Sequence, residues 1–448
     1  MIHLRKRVYS LLLLSLCTLT STAGRTQPPT NEVLAVLTGH TDTIEAVVFS
    51  PDNTVIATAS FDRTARLWDA ATGQQLRILS GEQGHKGQVL AVDFSPDGEF
   101  LATGGADNVA RVWQSGLSFP SPAFAAVASV AGPAAGFQFV GEFLAPLERR
   151  TRRMALASAN PIKSFPHPNL VDAVAYSPNG QWLATGCHDG KLRIWDIAKG
   201  MSVKEIEAHV QKSPQQVQHP IYAVTWTPDG QQIYTASFDK TIKLWNVVSG
   251  QLIREFKAAP EPVPLAPKKD MPKKEAEAKA KDPGSAQADP SKNGQQASQT
   301  SAVSLGHRDQ VFSLALSPDG KFLVSGSSDR TIKLWDTTTG QVVRDFPNPD
   351  LKPVFPTEPT PSHPGWVQTV RFTADGKFLV SAGPAPRKKG YVAVWNVQTG
   401  ERVWSRSWDA GPVHGLALTS DGARMVIGCA AANDPAAPVA VVVKFPGR

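Results

Sequence analysis

The sequence predicts an all-β fold built from seven similar units, and three observations carry that prediction. Five segments place a histidine and a tryptophan 28 residues apart: His40–Trp68, His85–Trp113, His167–Trp195, His307–Trp335 and, with four extra residues, His363–Trp395. A fixed internal period means one supersecondary unit repeated along the chain. A turn of the form Ser/Thr-x-Asp/Asn-x occurs seven times, beginning at Ser50, Ser95, Ser177, Thr227, Ser317, Thr373 and Thr419. Alternating apolar runs flank each turn, such as Ile44–Phe49 and Val55–Ala59, the period-two pattern of half-buried strands.

Along the chain, the first segment reads as an export leader over residues 1–23. Arg5-Lys6-Arg7 precede an apolar run from Val8 to Leu19, and Ser21-Thr22-Ala23 supply small residues for cleavage. Twelve residues are too few to cross a bilayer, which needs about 20. A retained anchor is the alternative. Leu16 stands where a lipoprotein signal needs a small residue before Cys17, which argues against lipidation. The protein is therefore expected in the periplasm or outside the cell. No Asn-x-Ser/Thr sequon occurs, which leans toward a bacterial envelope.

Each unit then follows one order. A first strand leads into the Ser-Pro-Asp-Gly-like turn, where Pro presets φ and Gly accepts a positive φ. A second and a third strand follow. The third ends in Trp-Asp or Trp-Asn, as at Trp68-Asp69, Trp195-Asp196, Trp245-Asn246, Trp335-Asp336 and Trp395-Asn396. A Thr-Gly-Gln-like turn leads to a fourth, as in Gln74–Leu79. Four units also carry an aspartate 22 residues after the histidine: Asp62, Asp107, Asp189 and Asp329.

Gly39-His40, Gly306-His307, the Ser-Pro-Asp-Gly turns and the terminal Trp-Asp together resemble the WD-repeat family of β-propellers, over most of residues 32–445. The resemblance implies a seven-bladed β-propeller of four-stranded antiparallel blades. Val413–Phe445 supplies only three strands and Val33–Leu37 has no blade of its own, so the N-terminal strand is expected to complete the last blade and close the ring. The resemblance also implies a hydrogen-bonded chain of turn aspartate, histidine, strand Ser/Thr and tryptophan indole in each blade. On this sequence that maps onto Asp62, His40, Ser60 and Trp68, and onto Asp329, His307, Ser327 and Trp335. Ser237, Asp239 and Trp245 carry it in unit four. By this mapping units two and three lack the hydroxyl (Gly105 and Cys187), unit four has Val217 in place of the histidine, and unit seven lacks the set. Those blades are expected to rely on apolar packing. Because His, Asp and Ser recur in every unit, their first reading is structural.

Two gaps break the period. Residues 257–303 are rich in Pro, Lys, Ala and Ser and read as a disordered insertion. Residues 115–160 read as an elaborated connection, with a degenerate eighth blade as the alternative. Cys187 and Cys429 sit in units three and seven, which are not neighbours in a ring, so no disulfide is expected.

The formal charge of +7 falls to +4 once Arg5, Lys6 and Arg7 leave with the leader, and no basic stripe argues for nucleic acid. No Gly-x-Ser-x-Gly turn, no haem-attachment motif and no His/carboxylate cluster outside the repeats point to catalysis, so neither cofactor nor metal is expected. His188, His209, His219 and His414 lie outside the recurring pattern and read as surface residues. In the family, loops joining strands two and three, and strand four to the next blade, open on one face, the top. Expansions at 257–303, 347–362, Pro384–Gly390 and Ala430–Pro438 would crowd one sector of it. Top-rim positions map onto Phe61, Leu90, His188, Tyr222, Phe238, Phe312, Trp366 and His414, beside the basic run Arg387, Lys388 and Lys389. The expectation is a monomeric, non-enzymatic scaffold that binds a protein or peptide on this face. A propeller hydrolase or oxidoreductase working at the central channel, and an envelope-complex subunit, are the alternatives.

Overall fold

The computed structural model describes residues 33–117, 160–210, 218–256, 306–353, 358–430 and 440–446. The leader at 1–23, the insertion at 257–303 and nearly all of 115–160 lie outside the described residues.

The described strands form seven sheets of four, and strand β1 (Val33–Leu37) belongs to the last of them. Blade one comprises β2 (Ile44–Phe49), β3 (Val55–Ser60), β4 (Ala65–Asp69) and β5 (Gln75–Leu79). Blade two comprises β6 (Val89–Phe94), β7 (Phe100–Gly105), β8 (Val109–Gln114) and β9 (Lys163–Pro166). Blade three comprises β10 (Val171–Tyr176), β11 (Trp182–Cys187), β12 (Leu192–Asp196) and β13 (Met201–Ile206). Blade four comprises β14 (Ile221–Trp226), β15 (Gln232–Ser237), β16 (Ile242–Asn246) and β17 (Leu252–Phe256). Blade five comprises β18 (Val311–Leu316), β19 (Phe322–Ser327), β20 (Ile332–Asp336) and β21 (Val342–Asp345). Blade six comprises β22 (Thr369–Phe372), β23 (Phe378–Ala385), β24 (Lys389–Asn396) and β25 (Arg402–Trp408). The seventh sheet has the order β1-β28-β27-β26, with β26 (Val413–Leu418), β27 (Arg424–Cys429) and β28 (Ala440–Lys444). The N-terminal strand therefore closes the ring, and β28 is left with no free edge.

Inner strands β2, β6, β10, β14, β18, β22 and β26 each touch the next, and β26 touches β2. Apolar side chains fill the space between blades in seven clusters, one per interface. Six of them hold the third-strand tryptophan of one blade, as Trp68 does between blades seven and one. In blade seven Val443 takes the tryptophan's place, opposite Met425, and Trp408 and Phe445 fill that interface instead.

The recurrent turns behave as their chemistry dictates. Ser50 Oγ donates to Asp52 (2.7 Å) and accepts from the Val55 N–H (2.9 Å), pinning the reversal between β2 and β3. Asn53 (φ 60°) occupies the left-handed position there, which Gly98, Gly180, Gly230, Gly320, Gly376 and Gly422 take in the other six. Residues 118–159 fall between β8 and β9, inside blade two. Pro384–Gly390, expected as an expanded loop, is instead a strand extension. β23 and β24 stay paired out to Ala385↔Lys389, and Arg387 and Lys388 make the reversal with φ of 64° and 58°.

Candidate functional site

The side chains that most resemble catalytic machinery are those of the repeat. In blade five Ser325 Oγ lies 2.6 Å from His307 Nε2, and His307 Nδ1 lies 3.1 Å from Asp329, a Ser–His–Asp line. Blades one, two and four repeat it as Thr58–His40–Asp62, Thr103–His85–Asp107 and Thr235–His209–Asp239. In each, a tryptophan Nε1–H donates to the same hydroxyl at 2.8–3.0 Å: Trp68, Trp113, Trp245 and Trp335. With the Nδ1–H of each imidazole donating to its aspartate, Nε2 accepts the hydroxyl proton, so every atom in the chain has a partner. The four hydroxyl residues are 0% exposed, so no substrate carbonyl can reach them. These are fasteners between strands, not nucleophiles.

The electrostatics agree. Burial lowers the pKa of His40, His85 and His209, against the pull of their aspartates. Burial disfavours the aspartate charge too, but the histidine bonds outweigh it and hold Asp62, Asp107, Asp239 and Asp329 well below the usual carboxylate range.

Four expectations about this chain are corrected. The hydroxyl is two residues earlier than mapped. Ser60 donates to the Asp42 carbonyl and caps the Asp62 N–H; Ser327 does the same with Asp309 and Asp329, and Ser237 caps the Asp239 N–H. Gly105 and Cys187 therefore remove nothing from the chain, since Thr103 and Thr185 carry it. In blade four the histidine is His209, 1% exposed and not a surface residue; Val217 lies outside the described residues. In blade three Asp189 is drawn away from His167 by the Arg193 fork (2.7 Å), and His167 Nδ1–H donates to the Phe165 carbonyl (2.9 Å). Burial takes His167 down to about 4. Blade six has Ala385 at the aspartate position. There His363 Nε2 meets Ser381 (2.7 Å), which also accepts from Trp395 (2.8 Å), while Nδ1 has no hydrogen-bond partner among the described residues and burial takes the ring down to about 3.

What does not repeat lies at the mouth of the central channel, a cavity of about 520 Å³. The second residue of each inner strand, or its equivalent in blade six, faces this mouth: Glu45, Leu90, Asp172, Tyr222, Phe312, Gln368 and His414. A β-bulge after the first residue of six inner strands allows two successive side chains to turn inward. The next tier is small: Ala46, Ala91, Ala173, Ala223, Ser313, Thr369 and Gly415. Two residues deeper lie Asp93 and Arg371. Asp93 accepts the Tyr176 N–H (2.8 Å); burial raises its carboxyl to about 7, against Arg371 and its backbone bonds.

At the mouth Asp172 lies 3.0 Å from His188 Nδ1 and Glu45 lies 3.0 Å from His414 Nδ1, while Gln368 Nε2 donates to Glu45 (3.2 Å). Opposite these, aromatic rings run across blades four to six. Tyr222 and Phe312 have centroids 5.3 Å apart, and Phe312 and Trp366 6.0 Å. Trp366 is 53% exposed. Phe238 is exposed and stacks on His219 at 6.0 Å, whereas Phe61 is half-buried. Arg387 and Lys388 are exposed at the tip of the blade-six hairpin, and Lys389 pairs with Asp409 (2.6 Å).

Leu90, Tyr222, Phe312 and His414 thus belong to one ring of the mouth, with Trp366 and His188 against it. Glu45, Asp172 and Gln368 were missed because aromatic and histidine side chains were favoured; their strand position, identical to that of Tyr222, was the available signal. Among the described residues no group of three or more His, Cys, Asp or Glu side chains is placed to hold a metal. Cys187 and Cys429 are buried and free.

Comparisons with known proteins agree with this architecture. The family described as WD domain, G-beta repeat matches residues 31–69, 73–114, 159–196, 203–246 and 299–336, the first five blades. Apoptotic protease-activating factor 1 is 38% identical in Rattus norvegicus and 34% in Homo sapiens, each over 96 residues, which is 21% of this chain and 7% of the relative. A ribosome biogenesis protein BOP1 homolog of Drosophila persimilis is 43% identical over 51 residues, 11% of this chain and 6% of the relative. The chain thus spans less than a tenth of the length of these curated relatives. With five blades matched in sequence and seven formed in the fold, the chain belongs to the WD-repeat family of β-propeller proteins.

Proposed function

We propose that this protein is a non-enzymatic interaction scaffold that works outside the cytoplasm and binds a protein or peptide on the top face of its propeller. Propellers of this family typically serve as protein-interaction scaffolds. The observation that carries the reading is the contrast between buried repeat and variable mouth. His, Asp and hydroxyl groups are spent on fastening blades, while the side chains that differ from blade to blade converge at the channel mouth. Aromatic rings there offer large area at small conformational-entropy cost, the property of interface hot spots. Placement outside the cytoplasm rests on the leader pattern of residues 1–23.

Cross-linking and affinity purification from an envelope or secreted fraction tests the face. Phe312→Ala with Trp366→Ala is expected to lose the main partner while keeping the wild-type Tm. Retention of every partner by that double variant removes the top-face reading. N-terminal sequencing of the purified protein is expected to begin after Ala23; an intact Met1 in cytoplasmic protein removes the export reading.

A further inference from the structure

The mouth is chemically two-sided. Blades one and three contribute Glu45 and Asp172, close enough for the Glu45 charge to act on Asp172. Tyr222 lies next to Asp172 and begins the aromatic arc that ends at exposed Trp366. Gln368 returns the ring to Glu45. A bare pair of carboxylates would say little, but carboxylates sharing an open cavity with the rings of Tyr222 and Phe312, and with exposed Trp366 packed on Phe312, fit one class of occupant. A cation gains from Coulomb attraction to the carboxylates and from any ring face it covers, whereas an anion is repelled by the carboxylates.

We propose, on the footing of the top-face reading, that the channel mouth is a socket for a basic side chain of the partner, and that His188 competes with that cation for the Asp172 carboxylate. The groups facing the pair are few. His188 stands on Asp172, with Asp189 behind it already held by Arg193. His414 stands on Glu45 beside the uncharged Gln368, Tyr222 lies next to Asp172, and Asp93 and Arg371 oppose each other in the channel below. The Asp172 bond raises the pKa of His188 above its ordinary 6.5. Protonation of His188 offsets the Asp172 charge, so a cationic partner binds more tightly at basic pH and more weakly on acidification.

The probe is a synthetic peptide, Gly-Ser-Leu-Arg-Leu-Ser-Gly, with citrulline replacing arginine in the control, titrated calorimetrically into the full chain at pH 8 and pH 5.5. The arginine peptide is expected to bind at least about tenfold more tightly than the citrulline peptide at pH 8, and several-fold more weakly at pH 5.5. Glu45→Gln with Asp172→Asn, near-isosteric changes checked by an unchanged Tm, are expected to abolish the preference. His188→Gln should keep it and weaken the pH dependence. Equal affinities at pH 8, no saturable binding, or a preference that survives loss of both carboxylates overturns the socket. An undiminished pH effect in the histidine variant overturns the competition. If the Phe312→Ala, Trp366→Ala variant loses its protein partner while arginine and citrulline bind alike, the scaffold stands and the socket falls.

Discussion

Thr58→Val isolates the fastener of blade one. Valine keeps the shape of threonine, and the site is 0% exposed, so the change removes one hydroxyl and little else. Two groups then lose their partner: the Trp68 Nε1–H, 2.9 Å away, and His40 Nε2, 2.6 Å away. A buried polar group left unsatisfied costs about 1–3 kcal/mol. Two of them, less about 1 kcal/mol regained from the added methyl group, leave a loss on the order of 1–5 kcal/mol, centred near 3. Ser60→Ala is the matched control. Ser60 is also 0% exposed, but its 3.1 Å bonds run to the Asp42 carbonyl and the Asp62 N–H of partly exposed residues, so the loss should be about 0.5–1.5 kcal/mol. Thr58→Ser, which keeps the hydroxyl, should fall near the control. Urea titration followed by circular dichroism ranks the three. Ser60→Ala costing as much as Thr58→Val would refute the assignment of the hydroxyl to position 58.

Three further outcomes follow from the same physics. The unfolded chain protonates its histidines near 6.5, while folded His167 and His363 resist until about 4 and 3. The unfolded state therefore binds more protons across that window, and Tm should fall as pH drops from 6.5 toward 4, with a shallower slope in His363→Gln; an unchanged slope contradicts the linkage. Below it, stability falls further as Asp62, Asp107, Asp239 and Asp329 protonate. Cys187 and Cys429 are buried and pushed up to about 12, so a thiol reagent should modify neither in the native protein and both in denaturant, with a third thiol, Cys17, only if the leader is retained. Leu37, 0% exposed between blades seven and one, closes the ring; Leu37→Ala should cost about 2–5 kcal/mol, and a loss under about 1 kcal/mol by the same titration would mean that β1 is not needed for closure.

The unit count was legible in the sequence because it rests on local spacing, and the closing strand and the structural role of the recurring His, Asp and Trp followed from the resemblance those spacings carry. Spacing did not separate Thr58 from Ser60. Both lie on one face of β3, two residues apart, so any period-two pattern accepts either. Trp68 sits opposite Ile56 in the ladder, and its indole reaches diagonally to Thr58. His209 was hidden for a related reason: the longer connection from it to β14 breaks the count, while the fold returns the ring to the same site.

The sequence by itself therefore determined the repeat, the all-β character and the seven units, since turn chemistry and strand alternation are properties of neighbouring residues, and the ring followed from the family resemblance they carry. Only the tertiary structure decided which hydroxyl fastens each blade and which side chains meet at the mouth. Glu45, Asp172, Tyr222, Phe312, Gln368 and His414 are separated by up to 369 positions in the chain and share nothing but a place on the inner strand. Closure of the ring brings them together, and that convergence is a property of the assembled sheets.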